Sequence, residues 1–330
     1  MSSGSPRLPN MALPFDYEER RDSTILLRAS RYGGQALFRA SRFAGPGPWR
    51  ALALGLAILA GDPGVSAQFS SGVNVVEVYA AVTDETGNPV SGLRRDDFTV
   101  LEDGQPQVLT AFAEGDFPLS VAVAIDRSFS MGTERLPTAV SAARTFLGEL
   151  RARDQSMLVA IGSEIEVLAP LSTDRASQMR ALSVLKPWGT TGLHDAIIQS
   201  IDAVQTAKGR RALVLLSDGT DRYSKATATD ALQRARHADV MIYPVAIGRT
   251  RPPLFAELAS LTGGRSFQPK TPADLNVIMR TIANELRHQY LLGYTPSRPI
   301  VAGEEQWRAI AVRVNRTDVT VRARDGYLAK

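Results

Sequence analysis

Three oxygen-bearing side chains fall on alternate residues in Asp126-Arg127-Ser128-Phe129-Ser130. In an extended loop that spacing turns Asp126, Ser128 and Ser130 toward one side, because successive side chains alternate in direction. Two further polar segments follow, Gly189-Thr190-Thr191-Gly192 and Ser217-Asp218-Gly219. Carboxylates and hydroxyls are the donors that hard cations such as Mg²⁺ prefer. The same residue types also cap helices by accepting hydrogen bonds from the free N–H groups of a first turn. A single D-x-S-x-S does not separate these two uses.

Other chemistry finds little support. The chain has no cysteine, which removes disulfides, thiol catalysis and thiolate metal sites together. Histidines 194, 237 and 288 are scattered, and a Ser–His–Asp arrangement needs one beside a nucleophile. There is no G-x-S-x-G elbow, H-E-x-x-H pair or phosphate-binding G-x-x-x-x-G-K-[ST] loop. His194-Asp195 opens a predicted helix and reads as capping and packing. Asp221 reads as a solvated loop acid, with support of a metal shell as its alternative role. The chain is therefore read as a binding protein and not an enzyme.

The elements that must position these loops alternate. Strands are expected at 119–125, 156–161, 165–169, 211–216, 240–247 and 265–268, and helices at 135–151, 175–185, 193–206, 225–238, 253–261 and 272–288. Such alternation predicts an α/β fold, a doubly wound and mostly parallel sheet with helices on both faces. Residues 119–125 (LSVAVAI) and 212–216 are short apolar runs, as expected of buried central strands. Asp126 and Ser217-Asp218 directly follow them. In open α/β sheets ligands bind outside the carboxyl ends of the strands, near the point where strand order reverses.

The flanks have strand character instead. Residues 73–83 alternate, 98–102 end at the hairpin signal Asp103-Gly104, and a third strand is expected at 107–112. After His288, strands are expected at 289–294, 307–314 and 318–324. Three strands alone make a weak unit. The expectation is that the two flanks pair into one β-sandwich with the α/β unit inserted between them.

D-x-S-x-S after an apolar strand, then G-T-T-G-L-H-D-A at 189–196 and L-S-D-G-T-D at 216–221, resembles the metal-ion-dependent adhesion site of von Willebrand factor A domains. Thr262-Gly263-Gly264-Arg265 before a short strand also fits that family. The likeness spans roughly 118–288, while the flanks VTDETGNPVSGLRRDDFTVLEDG and QYLLGYTP resemble those of bacterial secreted proteins with a related domain. Carried over by position, the resemblance implies a divalent metal held by Asp126, Ser128, Ser130, Thr191 and Asp218. Ser128, Ser130 and Thr191 would give hydroxyls, and the two carboxylates would neutralise the ion, often through waters. Mg²⁺ is the expected ion, with Mn²⁺ or Ca²⁺ as alternatives. Relatives read G-G-T-x-L-Y-D-A where this chain has Thr190, so Thr190 competes with Thr191, and His194 replaces a common Tyr. Two carboxylates plus neutral hydroxyls leave a coordination position for an acidic partner residue.

The charge distribution bears on partners. Net charge is +4, of which residues 1–67 carry +3 through eight arginines against five acids, leaving +1 for the rest. That dispersed charge gives no electrostatic footprint for nucleic acid. Arg50 precedes an uncharged apolar run at 51–61, and Val65-Ser66-Ala67 supplies small residues before Gln68. This is the pattern of a secretory signal cut after Ala67. Its eleven apolar residues fall short of the about 20 that span a bilayer. The expected organisation is a leader (1–67), a β-rich segment (68–116), the α/β domain (117–288) and a C-terminal β segment (289–330). The expected function is metal-dependent binding of a protein ligand that presents an Asp or Glu, in a secreted or periplasmic setting and with no membrane span in the mature chain. The alternative is a scaffold of the cell envelope in which the metal only stabilises.

Overall fold

A computed structural model describes residues 75–115, 117–301 and 303–330. The predicted leader and its cut after Ala67 lie outside these residues. Strand β2 (Phe98–Glu102) alternates between core and solvent, as does the first half of β1 (Val76–Asp84), whose Ala80, Ala81, Val82 and Thr83 are all buried; Val78, Val82, Phe98 and Val100 lie inside. Strand β2 turns into β3 (Gln105–Gln107) through Asp103 and Gly104, at φ 47° and 80°. Two successive left-handed residues match the right-handed twist of a hairpin, which explains the Asp-Gly pair.

The single strand expected at 107–112 is two. Strand β3 pairs with β2, whereas β4 (Leu109–Glu114) belongs to the other sheet. Between them Val108 is 77% exposed, so the alternation breaks where the chain crosses from one sheet to the next.

The α/β unit follows. Strand β5 (Leu119–Asp126) is buried along its whole length and leads to helix α1 (Gly132–Glu149). Next come β6 (Gln155–Ile161), β7 (Ile165–Ser172), α2 (Arg175–Ser183) and α3 (Leu193–Gln205). The unit closes with β8 (Arg210–Ser217), α4 (Ala228–Arg236), β9 (Met241–Ala246), α5 (Pro253–Thr262) and α6 (Pro272–Arg287). Sheet order is β7-β6-β5-β8-β9, parallel except for β7. Helices α1, α2 and α6 cover one face through residues such as Phe146, Leu182 and Met279, and α3, α4 and α5 cover the other through Ile197, Ala231 and Phe255. Each fully buried Val, Leu, Ile or Phe adds about 1.5–3 kcal/mol. The expected strand at 265–268 shrinks to one bridge between Val245 and Phe267.

Strands β10 (Tyr290–Tyr294), β11 (Gln306–Val314), β12 (Val319–Arg322) and β13 (Gly326–Ala329) then return to the first segment. They complete two antiparallel sheets, β12-β1-β10-β4 and β13-β11-β2-β3, around Val78, Phe98, Tyr290, Leu292 and Ile310. Strand β10 lies between β1 and β4, with Tyr290 opposite Glu114. Gly115 N donates to Gln289 O at 2.9 Å, so the chain leaves and re-enters the sandwich at adjacent points. No helix among the described residues is long and apolar enough to cross a membrane.

This topology locates the crevice. From β5 the chain moves outward to β6 and β7, then returns to place β8 on the opposite side of β5. Strand order therefore reverses between β5 and β8, and their carboxyl ends are where a ligand would bind.

Candidate metal centre

Burial of β5 carries Asp126 to the carboxyl edge of the sheet at 0% exposure. Asp126 Oδ1 accepts from Ser128 N at 2.9 Å, which turns the chain out of the strand. Its Oδ2 accepts from Ser217 Oγ, on the end of β8, at 2.7 Å. The Ser128 and Ser130 hydroxyls lie 3.0 Å apart, and Ser128 O accepts from Met131 N as α1 begins. Ser128 is buried and Ser130 exposed, so the hydroxyl pair runs from the interior to the surface.

The second loop is tied to the first. Gly189 O accepts from Phe129 N at 3.0 Å, and Trp188 N donates to Arg127 O at 2.7 Å. Gly189 holds φ 75°, and a Cβ there would sit 2.6 Å from Ser163 Oγ, so only glycine makes this approach. Thr191 and Thr190 then diverge. Thr191 is buried, and its carbonyl accepts from Arg222 N and Tyr223 N, joining it to the third loop. Thr190 is exposed, with its hydroxyl 3.2 Å from Ser163 Oγ.

In the third loop Asp218 follows Ser217. Asp218 Oδ1 accepts from Thr220 N at 3.0 Å, and its Oδ2 lies 3.6 Å from Arg135 Nη1. Arg135 also reaches Ser130 O at 3.4 Å, spanning the first and third loops. Asp126, Ser128, Ser130 and Ser217 are thus joined by direct hydrogen bonds, Asp218 adjoins them through Ser217, and Thr191 sits in the loop tied to both neighbours.

The charge balance of the site turns on Asp126. Burial raises the Asp126 carboxyl above its ordinary range, and the nearby negative charge of Asp218 adds to this, against lowering by the hydrogen bonds from Ser128 and Ser217. No Lys, Arg or His among the described residues forms an ion pair with Asp126. A buried carboxylate with no counter-charge is costly, and a bound cation reverses that cost. No three His, Cys, Asp or Glu converge at metal-binding distance among the described residues. The donor set here is two carboxylates with neutral hydroxyls, which fits a hard ion that keeps several waters and does not fit a closed zinc site.

Several placements were not legible in the sequence. Asp221 is neither a solvated loop acid nor placed on the metal shell by any contact: its Oδ1 accepts from Leu193 N at 2.7 Å and His194 N at 3.3 Å, capping α3. Ala226 O accepts a hydrogen bond from His194 Nδ1 at 3.2 Å, and the same nitrogen lies 3.7 Å from Asp221 Oδ2. Ser217 was visible as part of a polar turn, but its bond to Asp126 depends on strand pairing. Phe129 (68% exposed), Trp188 (41%) and Tyr223 (61%) stand out from the three loops as exposed aromatics.

Residues 121–220 match the family model for the von Willebrand factor type A domain. No curated protein matches the sequence. Among solved structures, an aerotolerance-related membrane protein from Bacteroides fragilis is 16% identical, covering 51% of this chain and 99% of its own, with a TM-score of 0.44. A von Willebrand factor type A protein from Catenulispora acidiphila is 14% identical, with 78% and 75% covered and a TM-score of 0.47. The von Willebrand factor domain of the pilus tip protein Mfa5 from Porphyromonas gingivalis is 13% identical, with 53% and 96% covered and a TM-score of 0.44. The matched residues run from strand β5 to the loop after β8, and so include Asp126, Ser128, Ser130, Thr191 and Asp218.

Proposed function

We propose that this von Willebrand factor type A domain works outside the cytoplasm as a metal-dependent binding module for a protein that presents an Asp or Glu carboxylate. One observation carries the reading: Asp126 is buried at the sheet's carboxyl edge, held by Ser128 N and Ser217 Oγ, without a cationic partner among the described residues. Ser128, Ser130 and Thr191 would offer hydroxyl oxygens to the ion, with Asp126 and Asp218 supplying charge. Mg²⁺ is the ion of choice for such a set, and it retains exchangeable positions. When bound, the ion supplies a positive centre that a partner carboxylate can join.

Two protein features support binding over bond cleavage, and a third supports the setting. His194 meets Ala226 O and Asp221 Oδ2, His237 the Trp307 ring and His288 Asn284 O, and none bonds a serine hydroxyl among the described residues. The site lies in open loops at the sheet edge, and exposed aromatics rim it. The signal-like run at 51–67 supports an extracytoplasmic setting.

The test is binding of Gly/Ser-framed peptides that carry one Asp or Glu, beside Asn or Gln counterparts, with Mg²⁺ or with EDTA. Binding confined to acidic peptides in Mg²⁺ is expected. Capture of neutral peptides, or binding that ignores EDTA, would overturn the proposal. Metal that raises the melting temperature while no acidic peptide binds would favour the envelope scaffold instead.

A further inference from the structure

A groove of about 250 Å³ runs between α1 and the start of α6. Arg135, Arg249 and Lys270 line it against a single acid, Glu134, and Leu275 forms part of its floor. One end adjoins the candidate metal centre: a Cβ on Gly248 would lie 3.6 Å from Asp218 O, and Arg135 Nη1 lies 3.6 Å from Asp218 Oδ2. Arg135 is therefore already engaged by the site's own carboxylate. Arg249 and Lys270 are exposed, and neither forms an ion pair with a carboxylate among the described residues. Their charge is conspicuous on a chain that carries only +1 beyond residue 67.

With a cation held at Asp126 and Asp218, two positive features would lie side by side on one edge of the sheet. A cation at Asp126 and Asp218 would take one carboxylate. The groove offers a second carboxylate two side chains outside any described ion pair, Arg249 and Lys270, the latter beside the Asp274 carboxylate that accepts from its backbone N–H at 3.1 Å. An apolar or singly acidic partner would leave Arg249 and Lys270 unused, whereas a partner with paired acids satisfies both features through charge complementarity.

We propose that Arg249 and Lys270 form an acid-recognition subsite, so that the partner segment carries at least two acidic residues, one for the metal and a second for this groove. The proposal rests on the metal-dependent reading above. Two exposed ion pairs of ordinary strength translate into a preference of about three- to tenfold at low salt. The preference should fade as salt rises, because exposed charges are screened over about 10 Å at 0.1 M.

The experiment uses Gly/Ser-framed peptides with one Glu, or with a Glu and a second acid two, three or four residues away. Each is titrated against the full chain with Mg²⁺, and against an Arg249→Ser/Lys270→Ser variant whose melting temperature confirms its fold. One di-acidic spacing should bind about three- to tenfold tighter than the mono-acidic peptide. The variant should lose that margin and keep its mono-acidic affinity. Equal affinities across all peptides for the wild-type chain, or a preference that survives in the variant, would overturn the proposal. Binding that ignores EDTA yet still prefers paired acids through Arg249 and Lys270 would sink the metal reading and leave the groove's role standing.

Discussion

The Ser217 hydroxyl donates a 2.7 Å hydrogen bond to Asp126 Oδ2, linking the carboxyl ends of adjacent parallel strands β8 and β5. The same Ser217 oxygen accepts from Gly219 N at 3.0 Å, so one hydroxyl organises both the acid and the turn that carries Asp218. Ser217 has 0% exposure.

Replacing Ser217 with Ala tests this link. It leaves one Asp126 oxygen and the Gly219 N–H without their partner, which costs about 1–3 kcal/mol when such groups are buried. Urea unfolding should show that loss, and affinity for Mg²⁺ should fall with it. A variant matching the wild type in both measurements would mean Ser217 does not position Asp126.

A second buried cluster joins the α/β domain to the sandwich. Glu285 on α6 pairs with Arg322 on β12 at 2.6 Å and accepts from Tyr243 OH on β9 at 2.8 Å. The Glu285 side chain is only 2% exposed. Arg322→Ala strands that carboxylate, and breaking a buried pair from one side costs about 3–5 kcal/mol. Adding Glu285→Gln should recover part of the loss. Calorimetry of the two variants checks it, and a harmless Arg322→Ala would show that the pair is not structural.

Glycines separate by what surrounds them. A Cβ on Gly264 would lie 1.9 Å from Ile242 O, a backbone atom of β9, so Gly264→Ala should destabilise by at least about 1–3 kcal/mol. Gly148, on the exposed side of α1, has nothing within 4 Å of such a Cβ. Gly148→Ala should stabilise by about 0.5–1 kcal/mol. Thermal melts of the two variants should move in opposite directions, and a shared direction would contradict the packing described.

Phenol ionisation gives a pH dependence. Burial pushes Tyr79 up to about 12, helped by the charges of Glu77 and Asp239. Burial and the Glu102 hydrogen bond likewise push Tyr327 up to about 12. An exposed phenol titrates near 10. Because the folded value is the higher, this contribution to stability is fully present below pH 10 and is lost between pH 10 and 12. Phenolate absorbance in that window should lag that of the urea-unfolded chain. Superimposable titrations would contradict the burial of these rings.

Local pattern carried much of the outcome. The apolar run ending in Asp126, the period of the helices and the Asp103-Gly104 turn follow from neighbours in sequence. What escaped depends on contacts between distant segments. The break at Val108 is a change of sheet, which alternation does not encode until one residue faces solvent. The strand expected at 265–268 has the right residues, but among the described residues it meets β9 at one bridge, Phe267 with Val245. Asp221 reads as a loop acid until α3 is docked with its free N–H groups toward it, and the divergence of Thr190 from Thr191 needs Ser163 from another loop.

Isothermal titration of Mg²⁺ and of Mn²⁺ into the full chain, wild type against Asp126→Asn, tests the metal centre most directly. Asn keeps the size of the side chain and removes its charge, and unfolding curves establish that the variant is folded. One ion per wild-type chain is expected, with stabilisation of about 2.7 kcal/mol at a hundredfold excess over Kd, and both should be lost in Asp126→Asn. No binding by the folded wild-type chain, or equal binding by the variant, would contradict it.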